Sequence, residues 1–224
     1  MREAVIVSAV RSPVGKLGGG LTPLQPYQLG AMVMREAVQR AKVEPGEVDE
    51  VIYGTVGNKE MNDAARVVAL ESGLPVEVPA IALDRQCGTS LNALAYGAIL
   101  IQSGVHDVVV TGGVEMDSRR PWIMERAVKA YGNTPPKFYA PFFAPPSFGD
   151  VHVLTTAENV AERYGLTREM CDQFALDSQE KAARAWEHGK FAREVLPIDV
   201  PEKGGVRRVE RDETVRATSM EALS

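Results

Sequence analysis

The 224-residue chain has few cysteines and no excess of positive charge, and both shortages exclude classes of protein. Its two cysteines, Cys87 and Cys171, are too few for a disulfide framework, and neither has the paired spacing of a zinc site. Lys and Arg number 25 against 30 Asp and Glu, so a net charge of −5 offers no basic surface to nucleic acid or to an anionic membrane. We therefore expect no nucleic-acid partner and no zinc site.

Long apolar runs are also missing. The N-terminal run at residues 4–10 is too short and too closely flanked by charge for a signal peptide, and no stretch approaches the ~20 apolar residues that span a bilayer. Hydrophobic residues still make up 45% of the chain, which is enough for one large core or two smaller ones. We predict a cytoplasmic protein with no membrane partner.

The first half of the chain alternates β-like and α-like segments, which is typical of parallel strands joined by crossover helices. Strands are predicted in the segments EAVIVSAV, DEVIYGTVG, PAIALDR and HDVVVTGG. Helices are predicted between them over residues 27–41, 63–72 and 89–102, with Gly73 and Gly104 ending the second and third. The pattern indicates an α/β core.

The character of the sequence changes after Gly113. Residues 118–150 are rich in Pro, Gly and aromatic residues without a sustained period, as in loops that are functional or belong to an interface. Two predicted helices follow, TTAENVAERYG and TREMCDQFALDSQEKAARAWEHG, and Thr167 and Gly189 bound the second. We predict a core domain at residues 1–117 and a lid or loop region at residues 118–224.

Cys87 stands where the third predicted strand ends and the third helix begins. The positive end of a helix favours a thiolate, and the N–H groups of its first turn are suited to binding the oxyanion of a tetrahedral intermediate. The helix is apolar almost all round, so we expect it to be buried, with Cys87 in a dry site. A small core cysteine is the open alternative, because free cysteines usually serve packing. Cys171 is predicted to be inert, since nothing near it in sequence would activate it.

Four motifs, in order along the chain, resemble those of the thiolase family. They are RQCGTSLNAL, TGGVEMDSRRPW, TTAENVAERYGLTREMCDQFALDSQEKA and DETVRATSMEAL, and the match covers essentially the whole chain. A ketosynthase shares the fold and a cysteine nucleophile, but the residues around Cys87 look more like a thiolase. The resemblance implies an α/β fold class: a layered βαβαβαβ core half with an inserted helical and loop lid region, the C-terminal thiolase half being absent.

The resemblance also implies an acyl-CoA C-acyltransferase. Cys87 would accept an acyl group from a thioester, for Claisen condensation or for thiolytic cleavage of a 3-oxoacyl-CoA. Coenzyme A thioesters are then the substrates, and neither a metal nor a permanently bound cofactor is implied. His152 matches the family's lid histidine near the pantetheine channel, and Arg216 matches an arginine at the nucleotide end of CoA. An ordinary loop histidine and a solvated arginine are the alternatives.

The chain departs from the family pattern beside these positions. Thr89 and Ser90 replace the usual Ser-Gly pair, which adds bulk at the helix start. Val153 and Leu154 replace the Met-Gly of the lid and remove a flexible glycine. The acyl-chain preference therefore does not follow from the commonest members of the family.

The catalytic histidine and the second, acid/base cysteine of thiolases come from the C-terminal half. Of the three histidines here, His106 and His188 match no catalytic histidine motif of the family, and His152 matches the lid histidine. We therefore expect a separate C-terminal thiolase subunit to supply both groups, in a hetero-oligomer that dimerises through the N-terminal core domain. The alternatives are a non-catalytic acyl-CoA-binding or scaffold protein built from thiolase parts, and a truncated thiolase that folds poorly.

Overall fold

The computed structural model describes residues 2–127, 131, 135–138, 142–149 and 152–224. The chain divides into two compact units. The core unit consists of Met1–Pro121 and Lys190–Thr214, and the lid unit consists of Trp122–Gly189 and Val215–Ser224. The sequence-based division at residue 117 stays a prediction. The compact units divide the chain differently from the sequence-based division. Residues 190–214 pack with the N-terminal segment rather than with the helices that precede them in sequence.

Three parallel strands form the sheet of the core unit. Strand β1 (Glu50–Gly54) lies in the centre, with β2 (Ala80–Leu83) on one side and β3 (Val109–Gly113) on the other. Val51 of β1 pairs with residues of both neighbours and is completely buried, as expected for the middle of a sheet covered on its faces. The parallel α/β arrangement predicted from the sequence is confirmed.

Three helices connect and cover these strands. They are α1 (Pro26–Ala41), α2 (Ala64–Ser72) and α3 (Thr89–Ser103). Asp63 caps α2 by accepting a hydrogen bond from the Arg66 N–H at 2.9 Å. Gly73 and Gly104 end α2 and α3 with φ of 92° and 79°, the left-handed conformation that glycine adopts at no steric cost. The predicted helix ends are therefore confirmed.

The first predicted strand, EAVIVSAV, forms no strand in the structure, so that prediction was wrong. The side chains of Val5, Ile6 and Val7 are 65%, 69% and 67% exposed. Only the ends of the segment are tied down: Arg2 forms an ion pair with Asp107, and Arg11 forms an isolated parallel bridge with Val195. The apolar pattern marks a segment that suits a sheet, but a strand forms only where a neighbouring strand pairs with it.

An antiparallel hairpin in the core unit was not predicted. Strands β4 (Ile198–Glu202) and β5 (Gly205–Val209) turn at Gly204, whose φ is 100°. Ile198 and Val200 are almost completely buried. Pro201 within β4 concealed the strand, because proline normally argues against one. The hairpin joins the core because alternate residues of β4 are apolar and point inward.

The two helices predicted for the lid unit are confirmed as α4 (Val153–Tyr164) and α5 (Arg168–Glu187). A third, short helix, α6 (Met220–Leu223), was not predicted. Thr167 caps α5 by accepting from the Met170 N–H at 3.3 Å, and Gly189, just beyond its end, has a φ of 64°. Cys171 lies exposed on α5. Within the described ranges, no helix combines the length and apolar character needed to cross a bilayer.

Glu115, just after β3, holds the loop that follows β1. Its carboxylate accepts hydrogen bonds from the N–H groups of Val56 (2.7 Å) and Gly57 (3.1 Å), the Thr55 hydroxyl (3.1 Å) and the Arg120 guanidinium (3.2 Å). Partial burial alone would raise the pKa of Glu115, but these donors outweigh it and hold the pKa below its usual value. The ionised form therefore stabilises the fold.

We expect Glu115→Gln to lower the free energy of unfolding by about 1–2 kcal/mol at pH 7. A depressed carboxyl pKa contributes stability that is present above the unfolded value, about 4.3, and is lost as the pH falls through the folded value. The difference between wild type and variant should therefore shrink from pH 7 to pH 4 and further at pH 3, measured by urea unfolding. Glu60→Gln, at an exposed glutamate, is the control. A difference that stays constant with pH would contradict the role of the charge.

Candidate active site

Cys87 lies in the turn between the end of β2 and the start of α3, as the sequence predicted, but its side chain is exposed. The expected burial of α3 is wrong for the residues described. The side of α3 that faces the sheet is buried through Asn92, Ala93 and Gly97. Apolar residues on its other side are exposed: Leu91 (72%), Leu94 (38%), Tyr96 (46%) and Ile99 (56%). The sheet covers only one side of a helix whose sequence is apolar on nearly all sides.

The turn that carries Cys87 has an unusual backbone. Gln86, immediately before it, has a φ of 48°, a left-handed conformation that is uncommon for residues other than glycine. The Gln86 N–H donates to the Asp84 carboxylate at 2.9 Å, and the Lys59 ammonium pairs with that carboxylate at 3.0 Å. Such a conformation persists only where surrounding contacts hold it. These contacts stabilise the backbone conformation immediately before Cys87.

Asp84 stays ionised at neutral pH in this arrangement. Its desolvation would raise the pKa, but the Gln86 N–H and the Lys59 ammonium together keep the pKa of Asp84 below its usual value. The carboxylate is therefore an acceptor for the turn rather than a proton donor. Asp84 therefore helps to hold Gln86, the residue before Cys87, in its left-handed conformation.

The buried side chain of Thr89 also stabilises this turn. Its hydroxyl accepts a hydrogen bond from the Arg85 N–H at 2.8 Å and donates one to the Gln86 carbonyl at 2.7 Å. The residue is 5% exposed, so its bulk lies against the sheet. The sequence suggested that Thr89 and Ser90 add bulk at the helix start; the structure places the bulk of Thr89 inside the fold and leaves Ser90 exposed.

The N–H groups of the first helical turn are only partly available. Those of Gly88 and Thr89 donate to the carbonyls of Arg85 (3.0 Å) and Gln86 (3.1 Å) and so serve the turn. Those of Ser90 and Leu91 donate to no group among the described residues. The predicted set of unpaired N–H groups near Cys87 is therefore reduced to the second pair.

Two glycines allow the start of α3 to approach the carboxyl edge of the sheet closely, and neither was predicted from the sequence. Gly54 and Gly113 pair with each other at the ends of β1 and β3. A Cβ on Gly54 would lie 2.3 Å from the Thr89 Cγ2, and one on Gly113 would lie 2.4 Å from the Ser90 Oγ. The sequence signal that could have identified them is a glycine at the end of each of two predicted strands, where the start of the helix must approach the sheet closely.

Replacing Thr89 with valine keeps the shape of the side chain but removes both hydrogen bonds of the hydroxyl. We expect the free energy of unfolding to fall by about 1–3 kcal/mol, because the Arg85 N–H and the Gln86 carbonyl lose a buried partner. Amides of residues 84–89 should exchange with solvent faster, as hydrogen exchange would report. Ser90→Ala, which removes a neighbouring exposed hydroxyl, is the matched control. Equal exchange in the two variants would show that Thr89 does not fasten the turn.

His152 and Arg216 belong to the lid unit, and Cys87 belongs to the core unit. His152 is the N-cap of α4, and its ring Nδ1 accepts a hydrogen bond from the Leu154 N–H at 3.2 Å. Arg216 is exposed, and its main-chain N–H donates to the Gln179 side chain at 2.9 Å. Its guanidinium has no ion-pair partner among the described residues. His152 thus has a local structural role, and the charge of Arg216 is available to an anion.

Comparison with known proteins gives a consistent result. The family described as "Thiolase, N-terminal domain" matches residues 4–224. The chain is 41% identical to the acetyl-CoA acetyltransferase of Pseudomonas aeruginosa, over 100% of this chain and 58% of that protein. It is 38% identical to a beta-ketoadipyl-CoA thiolase of Acinetobacter baylyi, over 100% of this chain and 59% of that protein.

Among solved structures, the crystal structure of the Bacillus anthracis acetyl-CoA acetyltransferase superposes with a TM-score of 0.88 at 34% identity. The match covers 99% of this chain and 57% of that one. The chain therefore spans a little over half the length of the proteins it matches. Since the family's N-terminal domain accounts for nearly every residue and the relatives agree in sequence and fold, the chain belongs to the thiolase family.

Proposed function

We propose that this chain is the nucleophile-bearing subunit of an acyl-CoA C-acyltransferase. The observation that carries the proposal is Cys87, exposed on a hydrogen-bonded turn at the N-terminal end of α3. Relatives named as an acetyl-CoA acetyltransferase and a beta-ketoadipyl-CoA thiolase supply the reaction class. A sulfur nucleophile suits this class, because the acyl group stays a thioester when it moves from CoA to the enzyme.

The proposed reaction has two steps. The Cys87 sulfur attacks the carbonyl carbon of an acyl-CoA thioester, the bond from that carbon to the CoA sulfur breaks, and CoA leaves as its thiol after taking up a proton. In the synthetic direction, a CoA-linked carbanion then attacks the acyl carbon and releases Cys87. In thiolysis, Cys87 attacks the 3-oxo carbon of a 3-oxoacyl-CoA, and the bond between C2 and C3 breaks. C2 keeps the electron pair, takes up a proton and leaves as part of an acyl-CoA, and a CoA thiol later removes the acyl group from Cys87. The N–H groups of Ser90 and Leu91 are suited to the developing oxyanion.

None of the chain's histidines is placed as a general base in the described structure. The His106 ring bonds to the Glu50 carboxylate at 2.9 Å, and the His188 ring bonds to the Arg184 carbonyl at 2.7 Å. His152 caps α4. We propose that a separate C-terminal thiolase subunit supplies the catalytic histidine and the second cysteine. The exposed apolar side of α3 supports such a partner, because a monomer seldom leaves a large apolar surface open.

We propose further that His152 and Arg216 bind the CoA part of the substrate. An arginine without an ion-pair partner in the described chain suits a phosphate, which it can bind bidentately. His152 retains one ring nitrogen beyond the one that caps α4, and that nitrogen is suited to a polar group of the pantetheine arm. The substrates are then CoA thioesters, with no permanently bound cofactor.

The assembly that we propose is a cytoplasmic hetero-oligomer in which two copies of this chain pair through the core unit. Strand β2 is an edge of the sheet, and Ile81 on it is 51% exposed. An open apolar edge is a natural pairing surface. Both cysteines are unpaired, as is usual in a reducing compartment.

Native mass spectrometry of the protein purified from its own cells tests the proposal, together with assays of acyl-CoA turnover. We expect a stoichiometric complex with a second polypeptide, and turnover that requires both chains. A monodisperse chain that binds CoA without turnover would instead support the non-catalytic acyl-CoA-binding alternative. An inactive chain that binds neither CoA nor a partner would indicate a truncated thiolase.

A further inference from the structure

One ion pair joins the loop after β1 to the turn that carries Cys87. The Lys59 ammonium lies 3.0 Å from one carboxylate oxygen of Asp84, and the other oxygen accepts the Gln86 N–H at 2.9 Å. Because Gln86 immediately precedes Cys87, the Asp84 carboxylate is bonded within one residue of the cysteine. The side chains of Lys59 and Asp84 are 47% and 37% exposed. The pair therefore faces solvent, as the cysteine does.

The main chain that carries Lys59 is held in place by the residue before it. The Asn58 side chain is completely buried, its amide nitrogen donates to the Met116 carbonyl at 3.2 Å, and its amide oxygen accepts the Met116 N–H at 2.7 Å. These two bonds tie the loop after β1 to the segment that follows β3. Lys59 therefore extends toward the Cys87 turn from a backbone that is itself well bonded.

Stability alone does not explain this ion pair. An ion pair between half-exposed side chains contributes little to the free energy of unfolding, because water screens both charges and two flexible side chains must be held in one geometry. A carboxylate does hold the Gln86 N–H more strongly than a neutral oxygen would. It also brings a negative charge into the turn, next to a residue that reacts through negatively charged species.

Negative charge beside Cys87 is unfavourable for every step of acyl transfer. The reacting thiolate, the oxyanion that forms from the thioester carbonyl and the phosphates of CoA are all anionic. Like charges at close range repel one another, and solvent and salt weaken this repulsion at an exposed site without removing it. An ionised Asp84 therefore needs a compensating cation, and the Lys59 ammonium is bonded to it.

We propose that Lys59 is a positioning residue for acyl transfer at Cys87 and that it acts through Asp84. The Asp84 carboxylate holds the left-handed backbone of Gln86, and the Lys59 ammonium cancels the charge that this carboxylate brings to the nucleophile. The inference rests on the proposed function, because that function makes Cys87 the nucleophile. The balance of charge at Cys87 is nevertheless a property of this chain alone and can be measured without a partner.

Alkylation of Cys87 by two reagents of different charge measures this balance. The cysteine sulfur displaces iodide from either reagent, but iodoacetamide is neutral and iodoacetate is anionic. The full chain is treated with each reagent at neutral pH, and peptide mass spectrometry gives the rate at each cysteine. Changes in thiolate fraction or in access to the sulfur affect both reagents alike, so the ratio of the iodoacetate rate to the iodoacetamide rate reports the local charge. Cys171, exposed on α5, is the internal control.

The expected ratios at Cys87 follow the charge of the pair. Lys59→Met should lower the ratio about 3-fold, because Asp84 keeps its hydrogen bond to Gln86 and its charge is no longer compensated. Asp84→Asn should raise the ratio about 3-fold, because an acceptor for Gln86 remains and the ammonium is left alone. Lys59→Arg and the double variant Lys59→Met/Asp84→Asn should both stay within ~1.5-fold of the wild type, since the net charge is restored.

A loss of structure would give a different result, because it would change the rates for both reagents together. Thermal unfolding of the four variants should stay close to that of the wild type, as expected for a half-exposed pair. The differences in ratio should shrink in high salt, which screens exposed charges. Equal ratios at Cys87 in the wild type, Lys59→Met and Asp84→Asn would overturn the proposal, as would equal changes at Cys87 and Cys171.

Turnover by the complex with the proposed partner separates this inference from the proposed function. There, Lys59→Met should lower kcat/KM for acetyl-CoA at least ~3-fold, and Lys59→Arg should retain it. If the complex shows no turnover while the alkylation ratios follow the expected order, the role of Lys59 stands and the enzymatic proposal falls. Turnover that Lys59→Met leaves unchanged, together with unchanged alkylation ratios, would remove Lys59 from the site and leave the enzymatic proposal standing.

Discussion

Replacing Cys87 with alanine is expected to reduce acyl transfer by the two-subunit complex at least ~1,000-fold, because the covalent route loses its only nucleophile. The fold should be unaffected, since the cysteine side chain is exposed. After incubation with acetyl-CoA in the presence of the partner, the wild-type chain should carry a covalent acetyl group and the variant should not. Intact-mass spectrometry measures the adduct, and release of the CoA thiol measures turnover.

Cys171→Ala is the matched control, because Cys171 is the other exposed cysteine and lies on α5. It should keep both the acetyl adduct and the turnover. Cys87→Ser distinguishes nucleophilicity from size, since serine preserves the volume but is a far weaker nucleophile at neutral pH without a base that activates it. An adduct that persists in Cys87→Ala would place the nucleophile elsewhere and remove the central residue of the proposed function.

Gly54→Ala is expected to lower the free energy of unfolding by about 2–3 kcal/mol and to impair acyl transfer as well. The added Cβ would lie 2.3 Å from the Thr89 Cγ2 and 2.4 Å from the Leu83 carbonyl oxygen. The carbonyl belongs to a paired strand, and the Thr89 hydroxyl is bonded within the Cys87 turn, so neither neighbour moves without breaking hydrogen bonds. The steric strain at the end of β1 is therefore expected to distort the turn that carries Cys87.

Urea unfolding of the full chain measures the first effect, and the acetyl adduct on Cys87 in the complex measures the second. Gly46→Ala is the control, because a Cβ there meets nothing within 4 Å. It should leave both quantities unchanged or slightly raise the stability. A Gly54→Ala variant as stable and as readily acylated as Gly46→Ala would show that the close approach of α3 to the sheet is not required.

The sequence was informative wherever local chemistry decides the structure. Caps and terminators such as Asp63, Gly73 and Thr167 act within a few residues of their own position, so the helices they bound were predicted closely. The hairpin of β4 and β5 was missed because its evidence lies in packing. Ile198 and Val200 become core residues only when the hairpin meets the rest of the core unit.

The N-terminal segment shows the opposite error. Its apolar residues are as well suited to a strand as those of β1, yet β1 is paired on both sides and the segment on neither. The residue composition of a segment indicates its preference for a β-sheet, but strand pairing depends on which other backbone segment lies beside it. The same reasoning applies to α3, whose apolar sequence predicts burial while its environment covers only one side.

By itself, the sequence determined the family, the strand-to-helix position of Cys87 and the alternation of strands and helices, because motifs and caps are properties of neighbouring residues. Only the tertiary structure showed that Thr89 stabilises the Cys87 turn, that Gly54 and Gly113 allow the close approach of α3, and that the N-terminal segment lines an apolar groove. The second and third of these features join residues that are far apart in the chain. Their distances exist only once the backbone has folded and has brought the two segments together.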